Sequence, residues 1–313
     1  MSSIMRLHCV CIATVAMTIV ANAPSQARTL EVGAGKAYAM PSAAIAAAHE
    51  GDHVVVAPGQ YFDCAVVSVN HLVIEGANSD GSAVMTDKTC QGKALLVITA
   101  DDVTVRNMTL TRARVPDQNG AGIRVEGQTL LVDGVHFINN QNGIMGGPPG
   151  AKVIVRNSEF IRNGFCAGSC SHGIYVGEVA LLRVEHSRFF ETRQAHHIKS
   201  RALRTEVIDS DIEDGPNGTA SYLIDISNGG STIVRGCTLE KGPKNENHTT
   251  AIAIGAEGVT HPTDEIVIEN NRFTNDGPPT IFVENLTATE ARLKGNKITG
   301  PMRAVLQGDG SVD

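Results

Sequence analysis

The sequence predicts an all-β chain wound as a parallel β-solenoid and closed at its N-terminal end by a short helix. Three observations carry this. A two-strand unit recurs at uneven spacing through the last two thirds of the chain. A strongly helix-forming stretch precedes the first strand-rich segment. The chain has no Trp but 32 Gly, so its core must be built from aliphatic residues and phenylalanine.

The first strand of the unit reads AGIRVEG, NGIMGGP, SHGIYVG, AHHIKSR, SYLIDIS, TAIAIGA, PTIFVEN and RAVLQGD. Its central apolar residues align as Ile123, Ile144, Ile174, Ile198, Ile224, Ile252, Ile281 and Val305. The shortest step is 21 residues (Ile123 to Ile144) and the longest 30 (Ile144 to Ile174), which is one solenoid coil with loops of variable length. The second strand runs from VTVRNMTL to ARLKGNKI. Its apolar column is Leu110, Phe137, Phe160, Phe189, Ile212, Leu239, Phe273 and Ile298. Just before it stand Asn107, Gly134, Asn157, His186, Asp209, Gly236, Asn270 and Gly295, types that tolerate a left-handed corner.

The N-terminal region completes the picture. Pro41 followed by SAAIAAA predicts a helix over about 41–49. A solenoid's open end exposes apolar surface, so this helix reads as a cap, with GDHVVVAPGQYFD as the first coil. Residues 1–27 read as a secretory signal: Arg6 supplies the positive start, and Leu7 to Ala21 is too short to span a bilayer. The expectation is a mature single domain, residues 28–313, periplasmic or secreted and with no membrane span. Cys9 and Cys11 leave with the signal. Among the remaining five, Cys166 and Cys170 can close a small loop and Cys64 and Cys90 can bridge layers, leaving Cys237 as a buried thiol.

Register then sorts side chains. If the aligned isoleucine points inward, the next residue points out. That outward column is Arg124, Met145, Tyr175, Lys199, Asp225, Ala253, Phe282 and Leu306. Tyr175, Lys199 and Asp225 should stand in one line, and His172, His196 and Tyr222 in a second, with Arg201 beside them. His197 precedes its isoleucine and either points inward or marks a bend. Three successive coils thus gather a compact titratable cluster. GGPPG (146–150) and FCAGSC (165–170) are expected to wall a groove around it, and GPKNENHTT (242–250) to be an exposed loop.

The stretch TLEVGAGKAYAMPSAAIAAAHEGDHVVVAPGQYFD, with the coils after it, resembles right-handed parallel β-helix proteins of the pectate-lyase-like superfamily. The resemblance covers essentially residues 28–310. It implies a right-handed winding and a choice among polysaccharide lyases, hydrolases, uronate epimerases, esterases, tailspikes and surface proteins; fold alone does not choose.

The cluster favours an acidic polysaccharide as partner. Lys199 and Arg201 suit a uronate carboxylate and the enolate that forms beside it. His172, His196 and Tyr175 suit proton transfer, with Asp225 as orienting group. Tyr222, His197 and Arg124 would complete substrate binding. The reaction so drawn is β-elimination by a metal-independent lyase. C5 epimerisation is the alternative on the same residues. Calcium-dependent members of the superfamily use several carboxylates, and here the sequence places only Asp225 in the cluster. SHG followed by HIKSR is also similar to polygalacturonases, but the paired aspartates of that pattern are missing, which disfavours glycoside hydrolysis. A non-catalytic glycan-binding solenoid is the third reading. The chain carries no nucleotide-binding glycine loop, zinc motif or basic tail, and its formal charge is −7, so no cofactor and no nucleic acid is expected.

Overall fold

The computed structural model describes residues 27–313. The expected leader lies outside them, apart from Ala27. Three parallel sheets form a right-handed solenoid. Sheet A has 12 strands, from Thr29–Val32 to Gly310–Val312. Sheet B has 10, from Gly59–Tyr61 to Lys297–Thr299, and sheet C has 10, from Ala65–Val67 to Met302–Gln307. Each coil runs A, then B, then C. No described helix is long and apolar enough to cross a membrane.

Alternation along each strand places one set of side chains inside, where successive coils stack. The sheet B column follows the expected register from Leu110 to Ile298. Within it Phe137, Phe160 and Phe189 are fully buried, with ring centroids 4.6 and 4.4 Å apart. The A-to-B corner is a single left-handed residue in eight coils, with φ between 45° at Asp209 and 69° at Gly236. Corner N–H groups need partners. Several find stacked serines: Val135 donates to Ser158 Oγ, Ser158 to Ser187 Oγ, and Ser187 to Ser210 Oγ, each at 3.1 Å.

The cap helix spans Pro41–Ala47 and buries Pro41, Ala44 and Ile45 over the N-terminal opening. The solenoid starts before it, because Thr29–Val32 pairs with His53–Val56. The first coil therefore precedes the helix, contrary to the order read from sequence. Cys64–Cys90 and Cys166–Cys170 are disulfide-bonded, and Cys237 is a buried free thiol.

Two expectations fail near the C-terminus. Ile252 pairs with Val283 rather than Ile281, and Val283 with Leu306 rather than Val305. Three successive apolar residues, Ile281–Phe282–Val283, fit either alignment by pattern, and backbone pairing decides. Phe282 is consequently core, stacked 4.7 Å from Phe273, and Glu284 and Gln307 take the outward places. The 242–250 segment is the expected loop, with Pro243, Lys244, Glu246 and Thr249 exposed, but it is tied down: Asn245 is buried and Glu246 accepts from the Ala195 N–H.

Replacing Phe160 with Ala opens a void in the middle of the phenylalanine stack. Equilibrium denaturation should show a loss of about 3–5 kcal/mol. Phe62→Ala, at a position 51% exposed, should stay within about 0.5 kcal/mol of the parent.

Candidate active site

Sheet C carries the cluster. Tyr175 pairs with Lys199 and Lys199 with Asp225, so the three side chains stand on one face of adjacent strands. Beside them the rings of His172, His196 and Tyr222 stack at 5.0 Å per step. The His172 ring also meets Tyr175 edge-on at 5.2 Å.

Backbone groups fix the histidine tautomers. The His196 N–H donates to His172 Nδ1 at 3.2 Å, and the Tyr222 N–H donates to His196 Nδ1 at 3.1 Å. A backbone N–H can only donate, so both Nδ1 atoms are acceptors and the neutral rings carry their proton on Nε2. His196 Nε2 lies 3.5 Å from Asp225 Oδ2. Burial holds both rings neutral. The His172 pKa falls well below its ordinary value through burial, then through His196, Lys199 and Arg201. Burial takes His196 down to about 4, with Asp225 and Glu257 opposing the shift and Lys199 and Lys241 adding to it.

The cations are held by carboxylates. Lys199 Nζ donates to Asp225 Oδ2 at 2.8 Å and to Glu257 Oε1. Burial alone would depress the Lys199 pKa, but Asp225 and Glu257 outweigh it and the pKa is raised. Arg201 donates from Nε to Tyr175 Oη at 3.0 Å, and from its terminal nitrogens to Asn228 Oδ1 and Glu257 Oε2. Burial would raise the Glu257 pKa, yet the bonds from Lys199 and Arg201 bring it below the usual carboxylate range. Ser227 Oγ donates to Asp225 Oδ2 at 2.9 Å.

The fold thus brings together His172, Tyr175, His196, Lys199, Asp225, Arg201 and Tyr222. Arg124 shares the Tyr175 column but stands two coils away, behind Met145, at roughly 10 Å from the strand spacing. His197 departs from the substrate-binding reading. It is fully buried, bonded to Thr192 Oγ1 at 2.8 Å and Asp214 Oδ1 at 2.9 Å. Its column shows why. A Cβ on Gly122 would lie 2.7 Å from the Phe137 ring and one on Gly143 2.6 Å from the Phe160 ring, so this position faces the core. His197 fits where the stack changes from Phe189 to the smaller Ile212.

Glu257 and Asn228 escaped the sequence reading. Both sit in loops leading from sheet C to sheet A, whose lengths vary, so no column alignment reaches them. The site therefore holds two carboxylates, not one. Both are bonded to the Lys199 ammonium, and no group of three or more His, Cys, Asp or Glu suited to a metal occurs among the described residues. This donor set does not fit a calcium site. At the start of the sheet C strands, Phe165–Ala167 and Ser169–Ser171 form a hairpin joined by Cys166–Cys170, directly before His172. Gly146–Gly150 leaves the opposite ends of these strands.

A family model described as the right-handed beta helix region matches residues 66–239 and 167–312. Among solved structures, the chain is similar to an alginate lyase from Paenibacillus sp. str. FPU-7. Identity is 20%, over 91% of this chain and 99% of that one, with a TM-score of 0.72. Pectate lyase Pel9A is 16% identical over 90% of this chain and 78% of its own, with a TM-score of 0.54. The pectin methylesterase from Aspergillus niger is 12% identical over 89% and 87%, with a TM-score of 0.51. At such identities the likeness is one of fold. No curated protein matches the sequence.

The depressed histidine pKa has a thermodynamic consequence. Between pH 6.5 and about 4 the unfolded chain binds a proton at His196 that the folded chain refuses. Stability is therefore lost as pH falls through that window, on the order of 3 kcal/mol from this group alone. Denaturant titrations at several pH values should show the slope, and His196→Gln should flatten it.

Proposed function

Because the chain belongs to the right-handed β-helix family and carries this cluster on one sheet face, we propose that it is a secreted or periplasmic polysaccharide lyase. Its substrate would be an acidic, uronate-containing polymer. The supporting observation is the Glu257 carboxylate bridging Lys199 and Arg201 beside Tyr175. A substrate carboxylate that displaces Glu257 finds the same two cations, one of them an arginine suited to planar anions. The likeness to alginate and pectate lyases agrees with such a substrate. Two disulfides fit an oxidising compartment.

The reaction follows from which groups present a lone pair or a mobile proton. His172 and His196 have Nδ1 occupied and Nε2 protonated, so they serve as donors to the sugar rather than as bases. Tyr175 is the group placed to move a proton. Its oxygen accepts from Arg201, which stands ready to stabilise negative charge there. Tyr175 Oη takes the proton from C5 of the uronate, the electron pair of that C–H bond forms the C4–C5 double bond, and the C4–O4 bond breaks. O4 takes up a proton from Tyr175 or Lys199. Lys199 and Arg201 neutralise the carboxylate while charge builds on it, without any metal. Asp225 holds Lys199. Arg124 would contact the polymer two coils away, and the Cys166–Cys170 hairpin, with Phe165 42% exposed, would wall the groove.

Hydrolysis is less well supported. It needs one carboxyl group that keeps its proton, and the cations hold Glu257 ionised. C5 epimerisation would use the same first step and return the proton to the other face of the sugar.

Incubation with a panel of polyuronates, monitored by ultraviolet absorbance of the unsaturated product, should give a rise with at least one. Tyr175→Phe should cut kcat by about 10²–10⁴ with little change in KM. Glu257→Gln should lower KM, because a competing internal anion is gone. No product from any polymer, with glycan affinity retained in His172→Ala and His196→Ala, would instead identify a binding solenoid.

A further inference from the structure

Lys241 closes strand Thr238–Lys241 of sheet B and is fully buried, away from the groove. A buried ammonium is costly unless something specific holds it. Burial draws its pKa down to about 8, against Asp214 and Glu246. Its hydrogen-bond partner is a backbone carbonyl, Ser221 O, at 2.5 Å.

That carbonyl belongs to the same peptide group as the Tyr222 N–H, which caps His196 Nδ1 at 3.1 Å. The Ser221 N–H in turn donates to Ala195 O. Ala195 O shares its peptide group with the His196 N–H, which caps His172 Nδ1 at 3.2 Å. A cation at the oxygen end of a peptide polarises it and strengthens donation from the nitrogen end. One peptide group, Ser221–Tyr222, therefore connects the buried ammonium to His196 Nδ1, whereas the bonds that lead to His172 start from the neighbouring Ala220–Ser221 peptide, which Lys241 does not contact.

We infer that Lys241 is a positioning residue: through the Ser221–Tyr222 peptide it fixes His196 with its proton on Nε2 toward the groove. The inference rests on the reading that the His196 ring faces the ligand, and not on which reaction follows. The charged groups in play are Asp214 and Glu246 around Lys241, and Asp225, Lys199, Glu257 and Lys241 around His196.

The test is long-range ¹⁵N–¹H NMR of the histidine rings across a pH titration, with no substrate present, so a wrong substrate assignment cannot affect it. In the wild type, His196 should show Nε2 protonated and Nδ1 bare at neutral pH. In K241M the His196 midpoint should rise from about 4 by about one pH unit or more, a tenfold gain in proton affinity, and the single-tautomer signature should weaken. K241Q, which keeps a donor without the charge, should retain the tautomer while still raising the midpoint. A wild-type His196 protonated on Nδ1, or a folded K241M or K241Q with midpoint and tautomer unchanged, overturns the inference. The wild-type spectrum decides the matter even if K241M does not fold.

Discussion

The parallel backbone ladder is the constraint on which everything else in this molecule depends. Because strands pair in register from coil to coil, residues at one position of the repeat lie above one another at a fixed spacing near 4.8 Å. That spacing packs three phenylalanine rings face to face inside sheet B. On the outer face of sheet C it packs two histidines and a tyrosine in the same manner. The core and the cluster are products of one geometry. A one-residue slip would turn Tyr175, Lys199 and Asp225 inward and destroy both.

Electrostatics then divides the cluster. The cations are paired with Asp225 and Glu257, so the groove carries little net charge of its own while retaining groups that favour a carboxylate. The histidines are kept neutral by burial and by backbone donors at Nδ1. In the proposed lyase this combination would let the cations recognise the anion while the Tyr175 hydroxyl, bonded to Arg201, moves the proton. The surrounding strands are short and rigid, which suits a site whose distances must be held closely.

How much of this was legible in the sequence follows the same division between strands and loops. The columns from Leu110 to Ile298 and from Ile123 to Ile252 could be read directly, because each position has a stacked counterpart with similar chemistry. Alignment of Tyr175, Lys199 and Asp225 came with them. The register of the last two strands was ambiguous, since Ile281, Phe282 and Val283 are all apolar and the decision rests on hydrogen bonding that begins at Thr250. His197 was undecidable by alternation alone: its burial depends on the side-chain sizes of Phe189 and Ile212 in the neighbouring sheet. Glu257 was invisible because a loop residue has no column.

The single-residue turn between sheets A and B also bears on how such a molecule can change. In the eight coils joined there by one left-handed residue, length variation is confined to the two remaining edges, which border the face that carries the cluster. Insertions there, such as the Cys166–Cys170 hairpin, remodel the rim without disturbing the spine. One scaffold can in this way vary the rim of the sheet C face while the stacked columns of the strands keep their addresses.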